Sequence, residues 1–510
     1  MNPVPHAVQD RPGEGGRRSG PRAGDAGPIV VVGNGMAGSR FVTDLRRRDP
    51  HVPVTVFGAE PQQPYNRILL SNVLAGVARP EQIGLVEASW YAEHRVDARL
   101  GVAVTRIDRK ARVVHAADGS VTPYGTLVLA TGSTAVVPPL KGAEDGLPAG
   151  ALPFRTLEDC RKILELAGAA DRAVVVGGGL LGIEAARGLA GRGLPVTVVH
   201  QAGHLMERQL DPGAGKVLAR TLDRLGVRVR LQAAVRALRT EGEGEERRVV
   251  GVELDTGEFL PAELVILACG VRPQVRLARA AGLAVERGIV VDEMLRSVTD
   301  PAVRAIGECS QYGRTVYGLV APAWQQATVL ADLLSGADRG ARFTGARQIT
   351  RLKAAGVELA AMGDSRLGDE DPQVEVVQFS DPARGTYKKV VVREDRLVGA
   401  ILLGETGTAG TLAQLYDRAA PLPSNRLGLL FPGLDGGMGD SPARLPDAAT
   451  VCHCNNVSKG QIRACWRQGA RSAGEVAERT RAGTGCGTCR DAVEDIVRLL
   501  NEQQEAVPAG

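Results

Sequence analysis

The sequence predicts an α/β protein built on a repeated strand–turn–helix unit, with a further α/β domain and a small helical module behind it. Three observations predict this. The apolar run Ile29-Val30-Val31-Val32 leads into Gly33-Asn34-Gly35-Met36-Ala37-Gly38 and a helical pattern, with a second strand at Val54-Thr55-Val56-Phe57. The same order recurs where Ala173-Val174-Val175-Val176 leads into Gly177-Gly178-Gly179-Leu180-Leu181-Gly182, followed by Val196-Thr197-Val198-Val199. Far downstream, Cys452-His453-Cys454 and Cys486-Gly487-Thr488-Cys489 gather four of the eight cysteines into two tight pairs.

Each repeat places a G-x-G-x-x-G turn between a strand and a helix. One copy is a weak signal, but two in matched context point strongly to two Rossmann-like dinucleotide-binding domains. The glycines allow the tight turn and let backbone N–H groups approach a pyrophosphate, which rests on the positive end of the helix. The residue ending the second strand normally reads the ribose hydroxyls. That residue is Glu60 in the first unit and His200 in the second. Ala268-Cys269-Gly270 and the stretch from Thr299 to Gly307-Glu308 suggest a return to the first unit. Hairpin strands are expected at Tyr387–Arg393 and Arg396–Leu403, and the charged run Glu241–Arg248 reads as a solvated hairpin turn.

The expected order is a disordered tail over 1–27, a first nucleotide domain over 28–150 plus 263–338, and a second over 151–262. An α/β interface domain follows over 339–432, then a linker over 433–449 and the cysteine module over 450–505. In that module, Ser458 to Gly469 has a helix-capping start and amphipathic spacing, and a second helix runs from the C-x-x-C through Val493, Ile496 and Leu499.

A chain of 510 residues can hold about three or four domains. With 44% hydrophobic and 24% charged residues and a net charge of +4, it has the make-up of an ordinary soluble enzyme. The scattered basic residues argue against a nucleic-acid binder. No apolar run reaches the roughly 18 residues that a membrane span needs. The first 27 residues lack an apolar segment, so Arg17-Arg18 is weak evidence for export. Paired cysteines without a leader point to metal rather than disulfide, and to a reducing cytoplasm.

At this point the chain resembles the pyridine-nucleotide:flavin oxidoreductases with two dinucleotide-binding domains, over residues 28 to 335. The words that carry the resemblance are Pro64-Tyr65-Asn66-Arg67-Ile68-Leu69-Leu70-Ser71, Leu129-Ala130-Thr131-Gly132-Ser133, Met206-Glu207-Arg208-Gln209-Leu210-Asp211 and Tyr317-Gly318-Leu319-Val320-Ala321-Pro322. Within that class it is similar to the flavin-bearing portion of assimilatory NAD(P)H nitrite reductase large subunits and to the electron-transfer subunit of assimilatory nitrate reductases. Residues 451–490 resemble the bacterioferritin-associated-ferredoxin-like (BFD-like) 2Fe–2S module of the same proteins.

The resemblance implies that Gly33, Gly35, Met36, Ala37, Gly38, Glu60, Arg67, Thr131, Gly132, Gly270, Gly307 and Glu308 hold FAD. The family often has Asp where Glu308 stands, so a contact there requires a slight rearrangement. Gly177, Gly179, Leu180, Leu181, Gly182 and His200 are implied to hold the nicotinamide cofactor, with Glu184 as the catalytic candidate beside the nicotinamide. His200 replaces the acidic reader usual in NAD enzymes, yet no arginine follows until Arg208, so NADH is expected over NADPH.

Four thiolates at this spacing suit a structural zinc about as well as an iron–sulfur cluster. Beside a flavin, which needs a one-electron outlet, Cys452, Cys454, Cys486 and Cys489 are read as ligands of a 2Fe–2S cluster, with His453 a spacer. Cys160, Cys269, Cys309 and Cys465 are isolated and expected to be small buried residues. No cysteine precedes Cys160, so the active dithiol of a disulfide reductase is missing. A sirohaem site would need two further close cysteine pairs, so no sirohaem domain is expected and reduction of nitrate or nitrite would fall to another chain. The resulting expectation is a cytoplasmic reductase passing electrons from NADH through FAD and the cluster to a partner. That partner is expected to be an assimilatory nitrate reductase catalytic subunit. A separate nitrite reductase, ferredoxin or rubredoxin is the rival acceptor, and a zinc-containing redox sensor the rival class.

Overall fold

The computed structural model describes residues 27–431, 445–452, 457–483 and 489–505. Residues 1–26 of the expected tail, residues 433–444 of the expected linker, and Cys454 and Cys486 lie outside the described residues.

Two five-stranded parallel sheets carry the glycine turns. In the first, the strand order is Val303–Ala305, Thr126–Leu129, Ile29–Val32, Val54–Gly58, Val96–Leu100. In the second it is Val227–Leu231, Val196–His200, Ala173–Val176, Leu264–Leu267, Ala151–Pro153. The duplication extends to register: Ile29 lies opposite Val54 and Thr126, and Ala173 lies opposite Val196 and Leu264. Every residue of Ile29–Val32, Thr126–Leu129, Ala173–Val176 and Leu264–Leu267 is buried. Runs of Val, Ile and Leu fit such strands because helices cover both faces of a parallel sheet.

One boundary differs from the expectation. Leu264–Leu267 pairs with Ala173–Val176 inside the second sheet, so the chain crosses back after residue 267 and not at 263. The crossing itself is a short antiparallel pair, Val271–Pro273 against Ser133–Ala135. The charged run Glu241–Arg248 does turn a hairpin, between Val235–Glu241 and Arg248–Leu254.

The third domain is an antiparallel sheet ordered Ile349–Ala354, Val357–Gly363, Arg396–Leu403, Thr386–Arg393, Glu375–Asp381. It is fastened to the second sheet domain by a buried ion pair. Asp211 accepts from Ala214 N–H at 2.9 Å and so caps the Pro212–Arg224 helix, while its Oδ2 takes Lys389 Nζ at 2.8 Å and the Tyr387 hydroxyl at 2.7 Å. Lys389 is 2% exposed and Asp211 7%. Burial alone would raise the Asp211 carboxyl, but its hydrogen bonds and the ammonium together hold it below the usual range.

The tail forms three helices, Lys459–Arg467, Ala473–Thr480 and Arg490–Glu505, around a core of Ile462, Val476, Val493 and Ile496. The middle helix is additional to the two expected, and it starts with a capping box between Ser472 and Glu475.

The ion pair yields a prediction. Asp211→Ala strands the Lys389 ammonium in the core and is expected to destabilise the protein by about 3–5 kcal/mol in denaturant unfolding. Because the carboxyl is depressed in the folded state, its contribution is present above the unfolded pKa of about 4 and is lost as pH falls through the lower folded value. The wild-type and Asp211→Ala stabilities should therefore converge in acid.

Candidate functional site

The glycines of the two loops play matching parts. Gly33 and Gly177 have φ of +112° and +116°, a region that side-chain-bearing residues rarely adopt. A Cβ on Gly38 would overlap the carbonyl oxygen of Gly33, and one on Gly182 would overlap that of Gly177. These two glycines let the helix start lie directly on the strand end. Gly35 and Gly179 differ: a Cβ there would meet nothing within 4 Å, because both face open space.

That space is one cavity of about 1010 Å³, into which both loops open. It lies at the upper end of ligand cavities, about 300–1,000 Å³, and suits extended ligands. Its wall takes in Gly33, Gly35, Met36, Ala37, Glu60, Arg67, Thr131, Gly132, Gly177, Gly179, Leu180, Leu181, Glu184, His200, Gly270, Gly307 and Glu308. Gly38 and Gly182 stand behind the wall, in the helix–strand contact. Three helices begin at the cavity: Met36–Arg48, Leu180–Ala190 and Val320–Ser335. None has a side-chain cap at its start. Uncapped helix starts present N–H groups and a positive dipole end, the arrangement that phosphate favours.

Around the first loop, Glu60 is held by two neighbours. The Tyr65 hydroxyl donates to its Oε2 at 2.6 Å, and Arg67 pairs with its Oε1. Burial pushes the Tyr65 hydroxyl well above its ordinary range, with further upward pressure from Glu60, so it stays a donor. Arg67 also donates to the carbonyl of Arg155 at 3.0 Å. Glu308 Oε2 accepts from Arg155 Nη2 and from the Ser133 hydroxyl, both at 2.6 Å. Gly307 N–H donates to Gln326 Oε1 at 2.7 Å. Asn34 Nδ2 and Arg155 Nε are buried on this wall without a hydrogen-bond partner, as a polar ligand's seat would leave them.

Around the second loop the ring of His200 is held by its neighbours. His200 ends its strand as expected, but its ring is turned under the loop and is only 7% exposed. Gly178 N–H donates to its Nδ1 at 3.1 Å, which leaves the proton on Nε2 to face Glu207 Oε2 at 3.0 Å. Both ring nitrogens are thus engaged within the protein. Glu207 and Arg208 line the same wall, so the arginine that sequence spacing set aside is within the site after all. Glu184 is buried at 6% exposure in the helix that follows the second loop.

Two of these residues were missed by sequence reasoning. Arg155 sits in an unremarkable stretch, marked only by the capping box that Thr156 and Asp159 form just beyond it. Glu207 lay in a quoted motif, but its place depends on how His200 turns. Cys160, Cys309 and Cys465 are buried as expected; Cys269 instead lies half-buried on the cavity wall. Burial pushes its thiol up to about 11, so it stays protonated and unreactive.

In the tail, Cys452 ends the strand Thr450–Cys452 and Cys489 directly precedes the Arg490–Glu505 helix. Both are buried in one core, at 1% and 8% exposure, although they come from opposite pairs in the sequence. Two thiols from opposite pairs in one apolar core fit the chemistry of a thiolate-held cluster. Among the described residues no helix is long and apolar enough to cross a membrane.

The fold and this site define a class: an oxidoreductase with two dinucleotide folds sharing one cavity, joined to a thiolate cluster module. Residues 27–327 match the model of the pyridine nucleotide-disulphide oxidoreductases, and the chain belongs to that family. Residues 450–498 match the BFD-like [2Fe-2S] binding domain and residues 349–419 the rubredoxin NAD+ reductase C-terminal domain. The chain is therefore an FAD-containing, pyridine-nucleotide-dependent oxidoreductase with a 2Fe–2S domain.

Among curated relatives it is 36% identical to a nitrite reductase [NAD(P)H] of Bacillus subtilis, across 92% of this chain and 57% of that protein. It is 32% identical to the assimilatory nitrate reductase electron transfer subunit of the same organism, across 94% of this chain and 61% of that one. The chain thus spans a little over half the length of these relatives. The structure of the covalent putidaredoxin reductase–putidaredoxin complex matches with a TM-score of 0.72 at 27% identity, covering 79% of this chain and 95% of that one.

The glycines separate packing from binding. Gly35→Ala is expected to fold normally but to be purified with most of its flavin missing, because the methyl enters the cavity. Gly38→Ala forces a backbone shift of the kind that costs about 1–3 kcal/mol and should lower the unfolding midpoint of the flavin-free protein as well. Flavin stoichiometry and thermal unfolding of the apoprotein check both.

Proposed function

We propose that this chain draws electrons from NADH and delivers them to a separate redox protein, an assimilatory nitrate reductase catalytic subunit. The observation that carries this reading is the shared cavity: both nucleotide loops open into it, and no cysteine dithiol precedes Cys160 to take electrons inward. Bound FAD and the 2Fe–2S cluster supply the chemistry, a two-electron hydride from the nicotinamide leaving as two single electrons.

The chain's own part is binding and orientation. The helix starts at Met36 and Val320 and the N–H groups of the first loop would carry the FAD phosphates and ring, with Glu60, braced by Tyr65 and Arg67, on the ribose. Glu308 and Arg155 form a neutralised pair beside the Thr131–Gly132 turn, where a flavin's polar chain would pass. The helix start at Leu180 would carry the nicotinamide dinucleotide, and Glu184, in the next turn, would stand at the nicotinamide. Since His200 is occupied, the carboxylate that reads the second ribose is assigned to Glu207, which His200 holds in place. A carboxylate there disfavours a 2′-phosphate and so supports NADH, with Arg208 the opposing charge. The acceptor assignment draws on the relative named as an assimilatory nitrate reductase electron transfer subunit. The nitrite reductase relative, at slightly higher identity, supports a nitrite-reducing acceptor as the second reading.

Anaerobic reduction by NADH, followed by paramagnetic resonance and by addition of each candidate acceptor, tests the route. Flavin bleaching with a reduced-cluster signal, reversed by nitrate reductase, is expected; bleaching with no cluster signal would sink it. Glu207→Gln should raise the KM for NADH roughly tenfold, leave kcat unchanged and narrow the preference over NADPH by a similar factor. An unchanged NADH:NADPH ratio would remove Glu207 from this role.

A further inference from the structure

The Ala473–Thr480 helix ends at Arg481, which has φ +65° and ψ +11°. That left-handed geometry suits glycine and burdens any residue with a Cβ. Arg481 closes the helix through its backbone, N–H to Ala477 O at 2.7 Å, a task that glycine would perform with less strain. The side chain does something glycine could not. Its Nη1 donates to Leu85 O and its Nη2 to Gly84 O, each at 2.7 Å. Both carbonyls belong to the first sheet domain, so one guanidinium fork joins the cysteine module to the domain that carries the first glycine loop. Strain held at one residue, together with a specific long-range contact, points to a positional role for that residue.

The acceptors are tied to the cavity wall. Asn66 N–H donates to Ile83 O at 2.7 Å and Leu85 N–H to Pro64 O at 2.8 Å, and Tyr65 bridges to Gly84. Pro64, Tyr65 and Arg67 all line the cavity. On the other side, Arg490 Nε donates to Gly483 O at 3.2 Å and Val493 N–H to Cys489 O at 2.9 Å, joining the segment after Arg481 to the helix behind Cys489. A continuous set of hydrogen bonds, carried by backbone groups and by the side chains of Arg481 and Arg490, therefore runs from the Glu60–Arg67 side of the cavity to Cys489, one of the cysteines expected to hold the cluster.

We infer that Arg481 is a positioning residue that seats the cluster module against the flavin side of the cavity and so sets the efficiency of electron passage between the two. The inference rests on the electron route proposed above. The step it serves moves one electron at a time from reduced FAD to the cluster; the flavin protons leave to water and the electrons end on the external acceptor. Arg481 makes and breaks no covalent bond. Burial lowers its affinity for its proton, Glu87 opposes that effect, and the guanidinium stays charged.

The test uses the full-length protein, loaded with FAD, iron and sulfide, as wild type, Arg481→Gly and Arg481→Lys. Glycine preserves the left-handed helix end, so Arg481→Gly should keep its iron content and circular dichroism while losing the fork. Lysine keeps the charge but cannot span two carbonyls with one planar group. In Arg481→Gly, amide hydrogen exchange over residues 80–87 should accelerate roughly tenfold or more, the yield of two charge-assisted hydrogen bonds lost. After anaerobic mixing with NADH, flavin bleaching should keep its wild-type rate, while cluster reduction in freeze-quenched samples slows by a similar factor; Arg481→Lys should fall between. Wild-type rates of cluster reduction in Arg481→Gly would overturn the inference while leaving the electron route intact. Iron loss in that variant would likewise overturn it, in favour of a folding role. If the wild-type cluster is never reduced by NADH, the electron route fails, and the inference with it.

Discussion

In a glycine-loop turn the helix can lie this close to the carboxyl end of its strand only where its first turn is bare against the backbone. In this chain that contact is made twice, by Gly38 on the carbonyl of Gly33 and by Gly182 on that of Gly177. Much of the site follows from it. Because the helices come so close, their first N–H groups point into the cavity, and because no side chain caps them, that polarity is left for a ligand. The facing glycines, Gly35 and Gly179, then keep the space clear. Packing and binding are thus divided between glycines three residues apart, and the flanking Val and Ile strands serve to hold both pairs in register.

Around that constraint the molecule is assembled from long-range polar contacts that offset the distance between its parts. Arg155 links the crossing between the two sheet domains to Glu308 and to the Glu60–Arg67 pair. Lys389 enters the second domain's helix cap. Lys389 and Asp211 are buried enough that each needs its partner, since an unpaired charge at such depth is far more costly than the pair is favourable, whereas Arg155 and Glu308 are partly exposed and act chiefly through the geometry of their contacts. The pairs therefore define how the domains fit together more than they strengthen any one of them.

What could be read from the sequence is whatever is local. The two glycine loops, their strands, Glu60 and the Arg396–Leu403 hairpin all announce themselves within about thirty residues, through periodicity and through glycine's backbone freedom. The Ser472–Glu475 capping box was equally local but marks a helix of only eight residues, easily lost between two cysteine pairs. His200 was placed at its strand end, but the side to which its ring turns depends on Gly178 and Glu207 in space. The membership of Leu264–Leu267 in the second sheet, the convergence of Arg155 on Glu308, and the reach of Arg481 to Gly84 and Leu85 depend on topology, and no spacing pattern encodes them.

The loop from Met206 to Asp211 has two allegiances. At one end Glu207 and Arg208 form part of the cavity wall; at the other Asp211 is bolted to Lys389, and midway the Ser365 hydroxyl donates to Gln209 O at 2.8 Å. A dinucleotide that bound Glu207 would therefore tighten a segment the third domain also holds, and the third domain, by clamping that segment, would lower the ordering entropy left for the dinucleotide to overcome. By reciprocity each favours the other. The antiparallel sheet would then act as a thermodynamic partner of the nucleotide, although its own strands carry no glycine loop.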